Sequence, residues 1–169
     1  MDRAVLQQLS YGVYVVSSVK DGRYNGQIAN AVFQVCAEPP VVAVCINRQN
    51  LTHEYIENSQ VFSVSILEQE TPMRFIGRFG YQSGRDIDKF DGVDHMTAAM
   101  DIPVVTEHAL GYLVAEVVDS MELETHTLFA GRLVDAAMLH EGTPMTYAYY
   151  HHVKGGKSPE TAPTYLPEE

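Results

Sequence analysis

The 169-residue sequence predicts one mainly β domain with a few short helices, its strands closing toward a barrel. Three observations predict this. Runs rich in Val, Ile and Tyr recur through the first fifty residues, separated by turn-forming residues. Only brief stretches adopt a helical period, and two long β-type runs, 111–121 and 126–139, follow later in the chain.

Taken in order, residues 11–19 read as a strand ended by the turn Lys20-Asp21-Gly22-Arg23. Asn25-Gly26 opens a second run over 27–36, which the Glu38-Pro39-Pro40 break ends. Residues 41–46 are almost continuously apolar, as in a strand buried on both faces. Short connections between these runs predict an antiparallel meander. The period changes over 52–59, where Thr52 is the expected N-cap, Glu54 lies in the first turn and Tyr55 and Ile56 face inward. Residues 61–67 alternate as a strand. Thr71-Pro72 then starts a second helix, with proline at its first position and Phe75 and Ile76 on its inner face. Residues 79–100 form an irregular loop containing Gly80, Gly84 and Gly92, and loops of that length usually serve a function. The two late strands join near Glu122-Leu123-Glu124. The expected organisation is a single domain over 1–153 and an extended, surface-lying tail over 154–169.

Composition narrows the function. The chain is 46% hydrophobic and 20% charged, with a net charge of −11 from 22 acidic and 11 basic residues. Such a field repels phosphate backbones, so nucleic acid is not an expected partner, although a local anion pocket is compatible with it. No run of about 18 apolar residues and no leader-like segment is present, so a cytoplasmic location without membrane attachment is expected. The cysteines, Cys36 and Cys45, form no C-x-x-C pair, and His151-His152 stands without a supporting cluster, so no metal site is expected. A Cys36–Cys45 disulfide is possible on paper, but free buried thiols are the expected state. G-x-S-x-G, P-loop and G-x-G-x-x-G motifs are missing. A nicotinamide substrate would therefore dock in an open cleft rather than in a dinucleotide fold.

Three constellations suit chemistry. Gly26-Gln27-Ile28-Ala29-Asn30-Ala31-Val32-Phe33-Gln34 combines small residues, which let a flat group approach the backbone, with amides that match the edge of a heterocycle. The same spacing also reads as a strand with its polar side chains facing water. Asn47-Arg48-Gln49-Asn50-Leu51-Thr52-His53 lies where a strand meets a helix, and a helix N-terminus with Arg48 beside it can seat a phosphate. An ordinary N-cap with a solvated arginine fits equally well. His126, opening an apolar strand, reads either as a hydrogen-bonded structural residue or as a functional one.

The ordered set of segments resembles the flavin reductase-like, FMN-binding split-barrel family over nearly the whole chain. The resemblance is carried by Tyr11-Gly12-Val13-Tyr14-Val15-Val16, the 26–35 segment, residues 39–46, residues 47–53 and Phe62-Ser63-Val64-Ser65. Asp88-Lys89-Phe90-Asp91-Gly92-Val93 and Thr125-His126-Thr127-Leu128-Phe129 with Gly131 complete it. Within the family the chain is most similar to small ferric/flavin reductases of anaerobic prokaryotes and to flavin domains fused to rubredoxin. No cysteine follows Cys45, so a rubredoxin-type iron site in cis is not expected, whereas a separate rubredoxin or other acceptor protein remains open.

The resemblance implies a Greek-key split β-barrel, a homodimer and non-covalent FMN. Gln27, Ile28, Ala29, Asn30, Ala31 and Gln34 would line the isoalloxazine ring. Arg48, Asn50 and Thr52, within the 47–53 block that begins at Asn47, would hold the phosphate. Lys89 and Phe90 would approach the cofactor from their loop, and Cys45 would lie near the ring or remain a core thiol. His126 would stand at the open face, where NAD(P)H docks. The implied activity is an oxidoreductase passing electrons from NAD(P)H through FMN to free flavin, ferric complexes or a redox partner. The alternative is a flavoredoxin-like carrier serving a rubredoxin-type partner with little NAD(P)H oxidation. Hydride transfer needs positioning more than acid–base help, which suits a site with few titratable groups.

Overall fold

The computed structural model describes residues 2–165, so the tail's final residues, 166–169, and Met1 lie outside the described residues. After a 3-10 helix at Arg3–Gln8, β1 (Tyr14–Lys20) turns into β2 (Arg23–Ala29). Asp21 and Gly22 both take positive φ, 50° and 71°, as a two-residue hairpin loop requires to match the strand twist. β3 (Val32–Ala37) and β4 (Pro40–Asn47) form a second hairpin.

The single run expected over 27–36 is thus two strands. The chain bends at Asn30-Ala31, where the Asn30 carbonyl accepts from the Val32 N–H at 3.0 Å and the Ala31 carbonyl accepts from the Cys45 N–H at 3.0 Å. β2 therefore pairs with β1, and β3 pairs with β4. The expected meander is replaced by two hairpins at opposite ends of one sheet.

Between them run β5 (Val61–Leu67), β8 (Ala109–Leu123) and β9 (His126–Met138), giving the order β2-β1-β5-β8-β9-β4-β3. All pairings are antiparallel. The sheet curls round a core in which Val16 and Ala29 from one end meet Val42, Val44 and Ile46 from the other, with Phe62, Ala115 and Phe129 between. This is a split barrel: the ends share a core, yet β2 and β3 remain unjoined edges. A small accessory sheet pairs β6 (His95–Thr97) with β7 (Pro103–Val105).

Helices cover the split. α1 (Leu51–Ser59) follows β4, and α2 (Met73–Gly80) follows β5. α2 buries Phe75, Ile76 and Phe79, worth about 2–3 kcal/mol each, in a second core that also holds Val13, Val15, Phe90 and Tyr150. Pro72 is the N-cap of α2 rather than its first residue. A third helix, α3 (Tyr147–His152), is capped by the Thr146 hydroxyl, which accepts from the Tyr149 N–H at 3.1 Å. Among the described residues no helix is long and apolar enough to cross a membrane.

Candidate functional site

Where the barrel splits, a cleft of about 350 Å³ opens between β2 and the end of β4, with α1, the loop after α2 and the C-terminal segment around it. One wall is Gln27, Ile28, Ala29 and Asn30. Ala29 keeps the strand surface low. Gln27 Oε1 is buried with no hydrogen-bond partner among the described residues. Leaving such an acceptor unpaired costs about 1–3 kcal/mol, so the position favours a ligand that brings a donor. Cys45 and Asn47 form the opposing β4 wall. Burial pushes the Cys45 thiol up, which keeps it neutral; both cysteines are free thiols, and Cys36 is exposed.

One end of the cleft gathers groups with the chemistry to hold an anion. Asn50, the N-cap of α1, makes no side-chain cap, so first-turn N–H groups remain directed outward beside Leu51 and Thr52. Thr52, expected as the cap, instead lies buried, and its hydroxyl accepts from Asn25 Nδ2 at 2.8 Å. Ser83, Gly84 and Arg85 face it from the loop after α2. A Cβ on Gly84 would lie 2.0 Å from Asn25 Oδ1, so only glycine lets this loop close on β2. Arg85 leans on Glu54 at 3.7 Å and is half exposed. That loose pair leaves the guanidinium able to turn inward.

Lys89 lies on the floor at 5% exposure. Its ammonium donates to the carbonyls of Gly26 at 2.9 Å and Phe79 at 3.1 Å. With two neutral acceptors and no carboxylate partner among the described residues, desolvation lowers its pKa from 10.5 to about 8. At neutral pH the cleft thus holds a fixed, unneutralised cation.

The segment after α3 closes another side of the cleft. Thr161, Ala162 and Pro163 line the cleft together with Lys157 and Pro159. The Asn47 Nδ2 donates to the Thr161 carbonyl at 3.3 Å while its Oδ1 accepts from the Gln49 N–H at 2.9 Å. His126 Nε2 lies 3.2 Å from the same carbonyl. Because a carbonyl only accepts, Nε2 carries the proton, and Nδ1 accepts from the Thr125 hydroxyl at 2.8 Å. Burial lowers the His126 pKa, keeping the ring neutral in this tautomer.

Gln27, Ile28, Ala29, Asn30, Cys45, Asn47, Asn50, Thr52 and Lys89 all line this one cleft. Five other expected site residues do not. Ala31 sits at the bend that splits the strands, its carbonyl held by β4. Gln34 is exposed on edge strand β3 and donates to the Cys36 carbonyl at 3.3 Å. Arg48 points to Glu122, 3.4 Å away near the end of β8. Phe90 is a core residue packed edge-on against Phe79 and Tyr24. His126 is outside the lining and lies 3.2 Å from the carbonyl of Thr161, which does line the cleft. Ser83, Arg85, Tyr147 and Tyr150 also line the cleft and were not singled out from sequence. The glycines of the 79–100 loop were the available signal for Ser83 and Arg85.

A family model for the flavin reductase like domain matches residues 6–156. The ferric-chelate reductase (NAD(P)H) of Archaeoglobus fulgidus is 47% identical over 166 residues, covering 98% of each chain. The high molecular weight rubredoxin of Moorella thermoacetica is 47% identical over 165 residues, 98% of this chain and 72% of that protein. Among solved structures, an NADH:FAD oxidoreductase of Streptomyces globisporus superposes with a TM-score of 0.78 at 24% identity, covering 87% of this chain and 86% of that one. A split barrel whose open seam carries this cleft, matched along most of its length, is thus the flavin reductase-like domain, and the chain belongs to that family of flavoprotein oxidoreductases.

Proposed function

We propose that this chain binds FMN in the cleft and oxidises NAD(P)H, passing the electrons to free flavin, a ferric complex or a partner protein such as a rubredoxin. The observation that carries the reading is the pairing of opposite chemistries in one slot. A buried acceptor at Gln27 Oε1 and a low wall at Ala29 share the slot with an anion seat of α1, Ser83 and Arg85. The first suits the N–H edge of a flat heterocycle, and the second suits a phosphate. The donor set therefore fits a phosphorylated flavin. When bound, the flavin supplies a two-electron acceptor that can later release electrons singly or in pairs.

The residues' part is to hold and to bias. Gln27 and Asn30 orient the ring edge, and Arg85, Ser83 and the α1 N-terminus anchor the phosphate. Lys89 keeps a positive charge under the cleft, favouring whichever cofactor state carries more negative charge. Neutral His126 and Asn47 direct N–H donors at the Thr161 carbonyl, next to the start of α1, where the Asn47 carbonyl accepts from the Asn50 N–H at 3.0 Å. The names of the two relatives that are 47% identical support both the nicotinamide donor and a ferric or rubredoxin-type acceptor. A homodimer is the assembly we assign. Phe33 and Val35 on β3 and Val118, Met121 and Leu123 on β8 expose apolar surface of the kind a second copy covers.

The test is anaerobic mixing of the FMN-loaded protein with NADH or NADPH in a stopped-flow spectrometer. Rapid loss of flavin absorbance is expected. Tight flavin that is not reduced would instead assign an electron carrier, and a protein that takes up no flavin would refute the reading.

A further inference from the structure

The C-terminal segment is tied down by groups that face the cleft. The Tyr81 and Tyr150 hydroxyls both donate to the Lys157 carbonyl. Tyr147 bonds Ser158 and Thr164, and Asn30 Nδ2 donates to the Thr164 hydroxyl at 2.9 Å. Gly156 lets the chain lie flat on Tyr150, since a Cβ there would fall 2.1 Å from its ring. The segment has no helix or strand of its own, and its placement rests on these side-chain bonds and a few turn contacts. Its most telling contact is the Thr161 carbonyl, which takes the Asn47 Nδ2–H and the His126 Nε2–H together. Both donors are fixed in that orientation from behind, by the Gln49 N–H and the Thr125 hydroxyl. A seat with two preset donors and a carbonyl oxygen in it is an amide-recognition site filled by the protein's own backbone.

We infer that residues 157–164 are a resident competitor of the reductant: the Thr161 carbonyl occupies the two-donor seat that the carboxamide oxygen of a nicotinamide takes when the segment swings away. This rests on the nicotinamide reading given above. The seat can be vacated because, apart from Lys157 at its start, the segment contributes only small side chains and two prolines to the cleft, Pro159, Thr161, Ala162 and Pro163. Competition of this kind lowers apparent affinity by the fraction of open molecules. A segment closed nine-tenths of the time weakens dinucleotide binding about tenfold.

The experiment compares the full chain, a chain ending at Gly156 and the full-length double variant Ser158→Ala/Thr164→Val, all loaded with FMN. The double variant loosens the segment without replacing a residue that lines the cleft, although it frees the Asn30 amide from Thr164. NADH concentration at half-maximal flavin reduction is expected to fall about fivefold or more in the shortened chain, and in the same direction in the double variant. Independently of turnover, trypsin cleavage after Lys157 in the full chain is expected to quicken when NAD⁺ is added. Equal NADH dependence in all three proteins with unchanged cleavage would overturn the inference. So would flavin loss from the shortened chain alone, which would make the segment part of the flavin site. Failure of every protein to take up FMN would instead fall on the flavin reading.

Discussion

Replacing Lys89 by methionine isolates the cost of the buried cation. The lysine's pKa falls from 10.5 to about 8 through desolvation alone. Between these values the unfolded chain holds a proton that the folded chain has released, so raising the pH favours the folded state. The contribution is unfavourable below pH 8 and vanishes near pH 10.5. At about 1.4 kcal/mol per pH unit, the shift corresponds to a penalty of about 3 kcal/mol at neutral pH. Methionine removes that penalty but strands the Gly26 and Phe79 carbonyls, at about 1–3 kcal/mol each. The net change at pH 7.5 is therefore small, and the pH dependence of the difference is diagnostic. Relative to Lys89→Met, the flavin-free wild type should gain about 2 kcal/mol of stability between pH 7.5 and pH 10. Urea unfolding followed by far-UV circular dichroism measures it, and taking the difference cancels pH effects common to both proteins. A difference independent of pH would refute the buried, unneutralised cation.

The remaining predictions concern the cleft. Arg85→Ala should weaken FMN binding about tenfold, the worth of one charge-assisted contact, while Arg48→Ala, whose guanidinium faces Glu122, should change it less than twofold; equilibrium dialysis with FMN checks both, and the reverse order would move the phosphate seat. Gly84→Ala forces a methyl onto Asn25 and should break the Asn25–Thr52 bond, costing about 2 kcal/mol in thermal unfolding and lowering FMN occupancy. His126→Ala should slow flavin reduction by NADH more than it weakens FMN binding. Because burial keeps the ring neutral, wild-type reduction should show no His126-dependent loss of rate from pH 7 to 8; unchanged stopped-flow traces in the variant would remove His126 from the site.

The β-rich class and most strand positions were legible because residues such as those of 61–67 alternate regularly between faces. What period cannot reveal is partner choice. The 27–36 run carries a continuous strand signal, yet the bend at Asn30-Ala31 sends its halves to opposite ends of the sheet. That bend also makes the cleft, which explains why Gln27 and Asn30 line it and Gln34 does not. Arg48 looked like the phosphate ligand because it precedes a helix. In the structure it lies 3.4 Å from Glu122, more than seventy positions away and brought alongside by β4–β9 pairing. Arg85 had no local periodic signal beyond its glycine-containing loop. α3 was hidden by its tyrosines, whose β preference the Thr146 cap and packing around Tyr150 override. The tail's return over the cleft depends on hydroxyls spread between Tyr81 and Tyr150, a long-range pattern that composition does not encode.

The central claim is that the seam of this barrel receives a phosphorylated flavin, and titrating the flavin-free protein into FMN while following flavin fluorescence tests it most directly. Quenching that saturates near one FMN per chain, with riboflavin binding at least about tenfold more weakly for want of the phosphate, is the expected result. Fluorescence that stays unchanged at protein concentrations well above that of the flavin would contradict the account.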